Sequence, residues 1–156
     1  MIDGVAKTYR TTLIRRVGNV VISGAVSLGV APSHYVLLTI PGRRSGVPRT
    51  IPIRLMLHDG QEWFVAPYGV RDWVRNARAA GSAVVRRGRR SRQVRLVEVS
   101  AAVAAPVLAA YVRKEPVTRP FFDARVGDPV SAFEAEASRH PVFQVENAQV
   151  SGSAGA

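Results

Sequence analysis

The sequence predicts a small antiparallel β-barrel packed by helices, a mostly β or α+β domain. Six short runs rich in β-branched and aromatic residues carry this reading, at residues 35–40, 50–57, 62–66, 83–87, 92–99 and 142–146. Glycine, proline and an Asp-Gly pair punctuate the gaps between them. Three of the remaining stretches carry helix start and stop residues. With 156 residues and 47% apolar content, the chain is long enough to bury a core of its own as one domain.

The chain divides into an N-terminal segment (1–33), the barrel (34–147) and a small polar tail (148–156) expected to lack order. In the first segment Lys7, Arg10, Arg15 and Arg16 lead into the uncharged run 17–30, which Pro32 stops. That run is shorter than the ~20 residues a spanning helix needs. It reads as a helix on the core, a helix in a membrane interface, or a targeting segment. In the barrel, Asp59-Gly60 joins the second and third strands as a hairpin. Asp72 can N-cap a helix through Ala80, with Gly81 just past its end. Ser100 can cap an alanine-rich helix from Ala101 to Arg113. Asp128 and Pro129 form an N-cap and first-turn pair for a helix to about Arg139. Pro141 then turns the chain into the last strand.

The chain has no cysteine, which excludes disulfides, thiolate catalysis and zinc–thiolate sites. His34, His58 and His140 lie far apart without ligand spacing, so no metal centre is expected. Ser33 precedes His34, but no carboxylate pattern completes a hydrolytic triad. The net charge is +11, with 20 Arg against 2 Lys, which favours an anionic partner. The densest basic cluster is Arg86, Arg87, Arg89, Arg90, Arg92 and Arg95 around Gly88, a hairpin tip. It either keeps a β edge soluble or binds an anion. No aromatic residues interleave with it, and no helix-turn-helix or RNP pattern is present, so nucleic acid is disfavoured.

The most specific stretch is the loop Gly42-Arg43-Arg44-Ser45-Gly46-Val47-Pro48-Arg49 with the following Thr50-Ile51-Pro52. It lies between two predicted strands and carries three arginines. Guanidinium forks pair with phosphates or carboxylates, and Gly46 lets the backbone come close. By itself this segment is equally a solvated hairpin loop. Asp59-Gly60, Trp63 to Gly69, and then Asp72-Trp73-Val74-Arg75-Asn76 to Gly81 follow it. In that order and spacing, over roughly residues 35–145, the chain resembles the deazaflavin-dependent nitroreductase family. That family is a branch of the split β-barrel flavin and deazaflavin oxidoreductases.

The resemblance implies a split barrel and coenzyme F420, a low-potential hydride carrier with a phosphate and an oligoglutamate tail. FMN is the less favoured cofactor. Carried over by position, Arg44 and Arg49 are anion-binding candidates, with Arg43 and Ser45 beside them. Pro52 stands where the second strand would pass the flat ring. Backbone amides of Ala66, Pro67, Tyr68 and Gly69 would meet the ring edge or a phosphate, although Pro67 removes one donor. Trp73 and Asn76, at i and i+3 on one helix face, either touch the cofactor or anchor the helix. Arg75 and Arg78 form a second such pair, able to meet the tail or remain solvated. Tyr68 and Tyr111 are the candidate proton donors, because Phe121 and Phe122 stand where some members have a tyrosine.

The expected function is F420H2-dependent reduction of an electron-poor small molecule: a quinone, an enone or a nitro compound. A second class stays open, a non-enzymatic split-barrel binder of a lipid, fatty acid or flavin with a vestigial loop. The expected state is a cytoplasmic monomer or homodimer. Its basic N-terminal segment would attach it peripherally to the inner face of the cell membrane.

Overall fold

A computed structural model describes residues 34–148. The expectations for the N-terminal segment and for residues 149–156 of the tail lie outside the described residues. The strands are β1 (Tyr35–Pro41), β2 (Pro48–Arg54), β3 (Met56–His58), β4 (Gln61–Val65), β5 (Ser82–Arg87), β6 (Arg90–Glu98) and β7 (Val142–Asn147). The helices are α1 (Asp72–Ala80), α2 (Ala101–Lys114) and α3 (Val130–Glu136), with 3-10 turns at Pro116–Phe121 and Ala137–Arg139. All strand pairs are antiparallel, in the order β2-β1-β5-β6-β7-β4-β3. The sheet curls into a split barrel.

The predicted second strand, 50–57, is two strands. It breaks at Leu55, whose N–H donates to His34 O at 2.7 Å. β2 ends on one edge of the sheet, and β3 begins on the other. A single residue makes that change, which no propensity marks. The Asp59-Gly60 hairpin forms as expected. Both residues have positive φ (50° and 71°), as a tight turn of this hand requires.

Two predicted caps differ. Arg71 holds the N-cap position of α1 without a side-chain bond, and Asp72 is the first helical residue. Its carboxylate still favours the helix N-terminus electrostatically but is spent on arginines. Pro129 precedes α3, and Asp128 Oδ2 instead accepts from Arg125 N–H at 2.8 Å, closing a local turn. α3 ends at Glu136 and tightens into the 3-10 turn up to Arg139. Ser100 caps α2 by accepting from Val103 N–H, and Gly81 (φ 65°) closes α1.

Alternation along β4 sorts two apolar clusters onto the two faces of the sheet. Trp63 and Val65 join Met56, Leu108 and Phe133 beneath α2 and α3. Phe64 and Ala66 join Val36, Leu38, Val74 and Phe143 beneath α1. Phe64, Phe133 and Phe143 are fully buried, each contributing roughly 1.5–3 kcal/mol. The β5–β6 arginine cluster is largely spent on the sheet. Arg92 pairs with Glu62, Arg95 with Glu146 (3.8 Å), and Arg87 donates to Tyr35 O (2.9 Å). β5 and β6 are interior strands, flanked by β1 and β7, so the hairpin does not guard a sheet edge as expected.

Candidate cofactor site

The β1–β2 loop is shaped from within. Gly42 N–H donates to Val47 O (2.9 Å), and Gly46 N–H donates back to Gly42 O (2.8 Å). Gly46 has φ 71°, open only to glycine at low cost. A Cβ at Gly42 would stand 3.1 Å from Val47 O, so a larger residue there would push the loop by a few tenths of an ångström. Ser45 Oγ accepts from Val47 N–H at 3.2 Å. Arg43 is used up internally. Its N–H and Nη1 both donate to Asn76 Oδ1 (3.1 and 3.0 Å), and its Nη2 meets Asp72 Oδ1 at 3.3 Å.

Arg44 and Arg49 differ. Both are exposed, and neither side chain has a hydrogen bond or ion pair among the described residues. They line a groove of about 670 Å³ between the loop, the start of β2 and the N-terminal turn of α1. Arg43, Ser45, Asp72 and Asn76 line it too. Asp72 is the single carboxylate there, and it already holds Arg43 and Arg75 (3.7 Å). Arg78, by contrast, lies away on Glu98, with Nε 2.7 and 3.0 Å from the two carboxylate oxygens.

The Trp73/Asn76 pair faces inward. Trp73 packs 5.7 Å from Phe143, on the α1-side cluster. Asn76 is buried, and its oxygen carries the two bonds from Arg43. Thus this pair clamps the helix to the sheet and the loop to the helix. Pro52 pairs with Leu37 and lies on the face of β2 opposite Ile51 and Ile53, outside the groove lining.

The segment after β4 offers fewer donors than expected. Ala66 N–H is spent on Pro141 O (2.9 Å), Gly69 N–H on Ala66 O (3.3 Å), and Pro67 has none. Of the four residues, that leaves the Tyr68 amide. Pro67 O meets His140 Nδ1 at 2.9 Å, and Tyr68 O accepts from Arg71 Nε at 3.2 Å. The Tyr68 ring is exposed and packs edge-on against exposed Phe121, with centroids 4.7 Å apart at 86°.

At the far end of β2, about 17 Å from Arg49 by strand rise, stands a cluster that sequence reasoning missed. Arg54 pairs with Glu115, and Tyr35 OH lies 3.5 Å from Glu115 Oε2. Arg54 Nε is buried without a partner. A charged residue closing an apolar strand, and a glutamate between a helix and Pro116, were the available signals. Burial, and then Glu115, push the Tyr35 hydroxyl upward. Tyr111 lies in the α2-side core, and burial, followed by Glu115 and the neighbouring Tyr68 and Tyr35, holds its proton tightly. Of the two candidate donors, Tyr68 is therefore the accessible one.

Comparison with known proteins places this geometry in context. Curated proteins give no match. Among solved structures, one described as a domain-swapped dimer is 19% identical, covering 88% of this chain and 99% of its own, with TM-score 0.54. The heme storage protein HutZ from Vibrio cholerae is 8% identical, covering 74% and 82%, with TM-score 0.50. An F420-H2 dependent reductase, FDR-A, is 23% identical, covering 73% and 95%, with TM-score 0.46. At these identities the first two likenesses speak for the fold alone, the split barrel already described. The model of the F420H(2)-dependent quinone reductase family matches residues 9–126, which include the arginine loop, α1 and the Arg54–Glu115 cluster, and the chain belongs to that family.

Proposed function

We propose that the groove beside Arg44 and Arg49 holds the phosphate and oligoglutamate tail of F420, and that the enzyme reduces a quinone. The carrying observation is the division of labour among the arginines. Arg43, with Ser45 and Asn76, fixes the loop, while the Arg44 and Arg49 side chains are left exposed and unpaired among the described residues. A rigid loop with two free guanidiniums suits a multiply anionic tail, because little order is lost on binding. The donor set therefore fits F420. Reduced F420 supplies the hydride when bound; the chain's residues bind, orient and shield.

The exposed Tyr68–Phe121 pair, set edge-on, offers an apolar corner with one ring face open beside an accessible phenol. A planar, electron-poor acceptor suits that surface, and the family's activity favours a quinone over an enone or a nitro compound. Tyr68 is the group to hand a proton to the reduced acceptor. A homodimer is the assembly proposed, the state of one structural neighbour. Peripheral attachment through the basic N-terminal segment would bring the enzyme to a lipid-soluble quinone. No helix among the described residues is long and apolar enough to cross a bilayer.

Titration with F420, FMN and a fatty acid tests the site. F420 should bind most tightly and weaken as salt screens the arginines. Arg44→Ala and Arg49→Ala should each lose about 1.5–3 kcal/mol of binding. That is roughly 10- to 150-fold in Kd, with the melting temperature unchanged. Equal affinity for F420 and FMN at low salt, or an Arg49→Ala variant that binds normally but melts early, would reject the assignment.

A further inference from the structure

The end of α3 carries two ionisable side chains that the cofactor groove does not use. Glu136 is 2% exposed and His140 4%. Glu136 Oε2 accepts from the N–H groups of Asp123 and Ala124, at 2.8 and 3.2 Å. His140 Nδ1 lies 2.9 Å from Pro67 O, and a carbonyl only accepts, so Nδ1 carries the hydrogen. The His140 ring also stacks on Phe122, with centroids 4.0 Å apart at 20°. Two residues four apart thus grip segments far apart in sequence: Pro67 of 66–69, and 122–124 just after Phe121. Those segments carry Tyr68 and Phe121, which meet edge-on in front of the pair.

The arrangement is costly to bury. Glu136 Oε1 and His140 Nε2 lie 3.8 Å apart, and neither has a hydrogen-bond partner. Packing alone would be served better by apolar residues of the same size. Among the described residues, Arg139 Nη2 is the one further ion-pair partner of Glu136, at 3.5 Å, and it also holds Asp123 at 2.7 Å. Such an incompletely satisfied buried pair calls for a reason beyond stability.

We propose that Glu136 and His140 are positioning residues for the reduction. They set the spacing of the Tyr68–Phe121 surface on which the acceptor lies. This rests on the reading of that surface given above. Glu136 fixes the backbone behind Phe121, and His140 fixes the carbonyl in front of Tyr68. The pair touches neither cofactor nor acceptor and acts through the two aromatic rings.

Four readouts test this on the full chain: amide hydrogen exchange, F420 titration, the melting temperature, and steady-state reduction of menadione. Glu136→Ala should speed exchange at Asp123 and Ala124 and leave F420 affinity within about twofold, because the tail contacts lie elsewhere. It should lower kcat/KM for menadione about 10- to 100-fold, the scale of a small misplacement. Glu136→Gln keeps an acceptor for the two amides and adds a donor toward His140 Nε2, so it should restore most of that loss. His140→Phe keeps the ring stack but loses the Pro67 bond, and serves as the milder variant if Glu136→Ala does not fold. In a Tyr68→Ala/Phe121→Ala background, Glu136→Ala and His140→Phe should have no further effect on kcat/KM. Faster exchange and lower melting temperature with unchanged kcat/KM would reduce the pair to a structural brace and overturn the inference. Additive losses in the Tyr68→Ala/Phe121→Ala background would overturn it too. Wild-type protein that fails to bind F420 would instead overturn the site reading together with this inference.

Discussion

Glu115→Gln is the sharpest test of how the two halves of the barrel are joined. Arg54 ends β2, and Glu115 follows α2, so their ion pair ties the β1–β2 hairpin to the helical layer. The side chains are only 14% and 9% exposed. Neutralising Glu115 leaves a guanidinium buried, with its Nε already unpartnered. Breaking one partner of a buried pair costs about 3–5 kcal/mol, and the glutamine oxygen, which still accepts from Arg54, holds the loss near the lower end. For a chain of this length that is a fall of roughly 6–12 °C in Tm. The double variant Arg54→Met/Glu115→Leu removes both charges and should return to within about 1 kcal/mol of wild type, because packing replaces the pair. Urea midpoints for the two singles and the double complete the cycle. F420 affinity should stay constant across the series, since Arg44 and Arg49 lie at the other end of the strand. A loss under about 1 kcal/mol for Glu115→Gln would mean a screened surface pair and refute the argument. A double variant as unstable as either single would refute it from the other side.

Asn76→Ala removes the acceptor of two bonds from Arg43 and leaves a partly buried amide unpaired. It should destabilise by about 2–4 kcal/mol and also weaken F420 binding, because the loop loses its anchor; normal affinity with a lowered Tm would separate loop order from binding. Burial, chiefly, lowers the His140 pKa, partly opposed by Glu136 and by the Pro67 and Ala66 carbonyls. The unfolded chain therefore binds this proton more readily, so stability should fall as pH drops through about 6.5 toward the lower folded value. Urea unfolding between pH 8 and 5 should show a shallower acid loss in His140→Phe than in wild type, and equal slopes would contradict the assignment.

Strands and turns were legible where local chemistry decided them. Asp59-Gly60, Gly81 and Ser100 do what their side chains dictate wherever they occur. The arginine loop was legible as a basic loop, but its division of labour was not. Arg43 and Arg44 are adjacent and chemically identical, and only the position of Asn76, 33 residues on, assigns one to the fold and frees the other. Trp73 and Asn76 were read from spacing as one helix face, correctly, but spacing does not say whether that face meets a ligand or the core. Arg54–Glu115 and Glu136–His140 were invisible for the opposite reason. Each depends on burial produced by elements distant in sequence, and charged residues in a basic chain look solvated until the fold encloses them.

Among the described residues the sheet has two edge strands, β2 and β3, which bear on how copies of this protein can meet. β3 is three residues long, too short to offer a row of backbone groups to another strand. β2 is longer, but Pro48 and Pro52 have the same parity, so one side of the strand lacks both amide donors. In an edge strand, that side is the one turned away from its neighbour. Exposed Arg49 adds charge to the strand. Neither edge can then template a continuous intermolecular sheet, and the open seam can stay accessible without seeding aggregation. Among the described residues, that leaves helices, loops and the sheet faces as the surfaces through which two copies could meet.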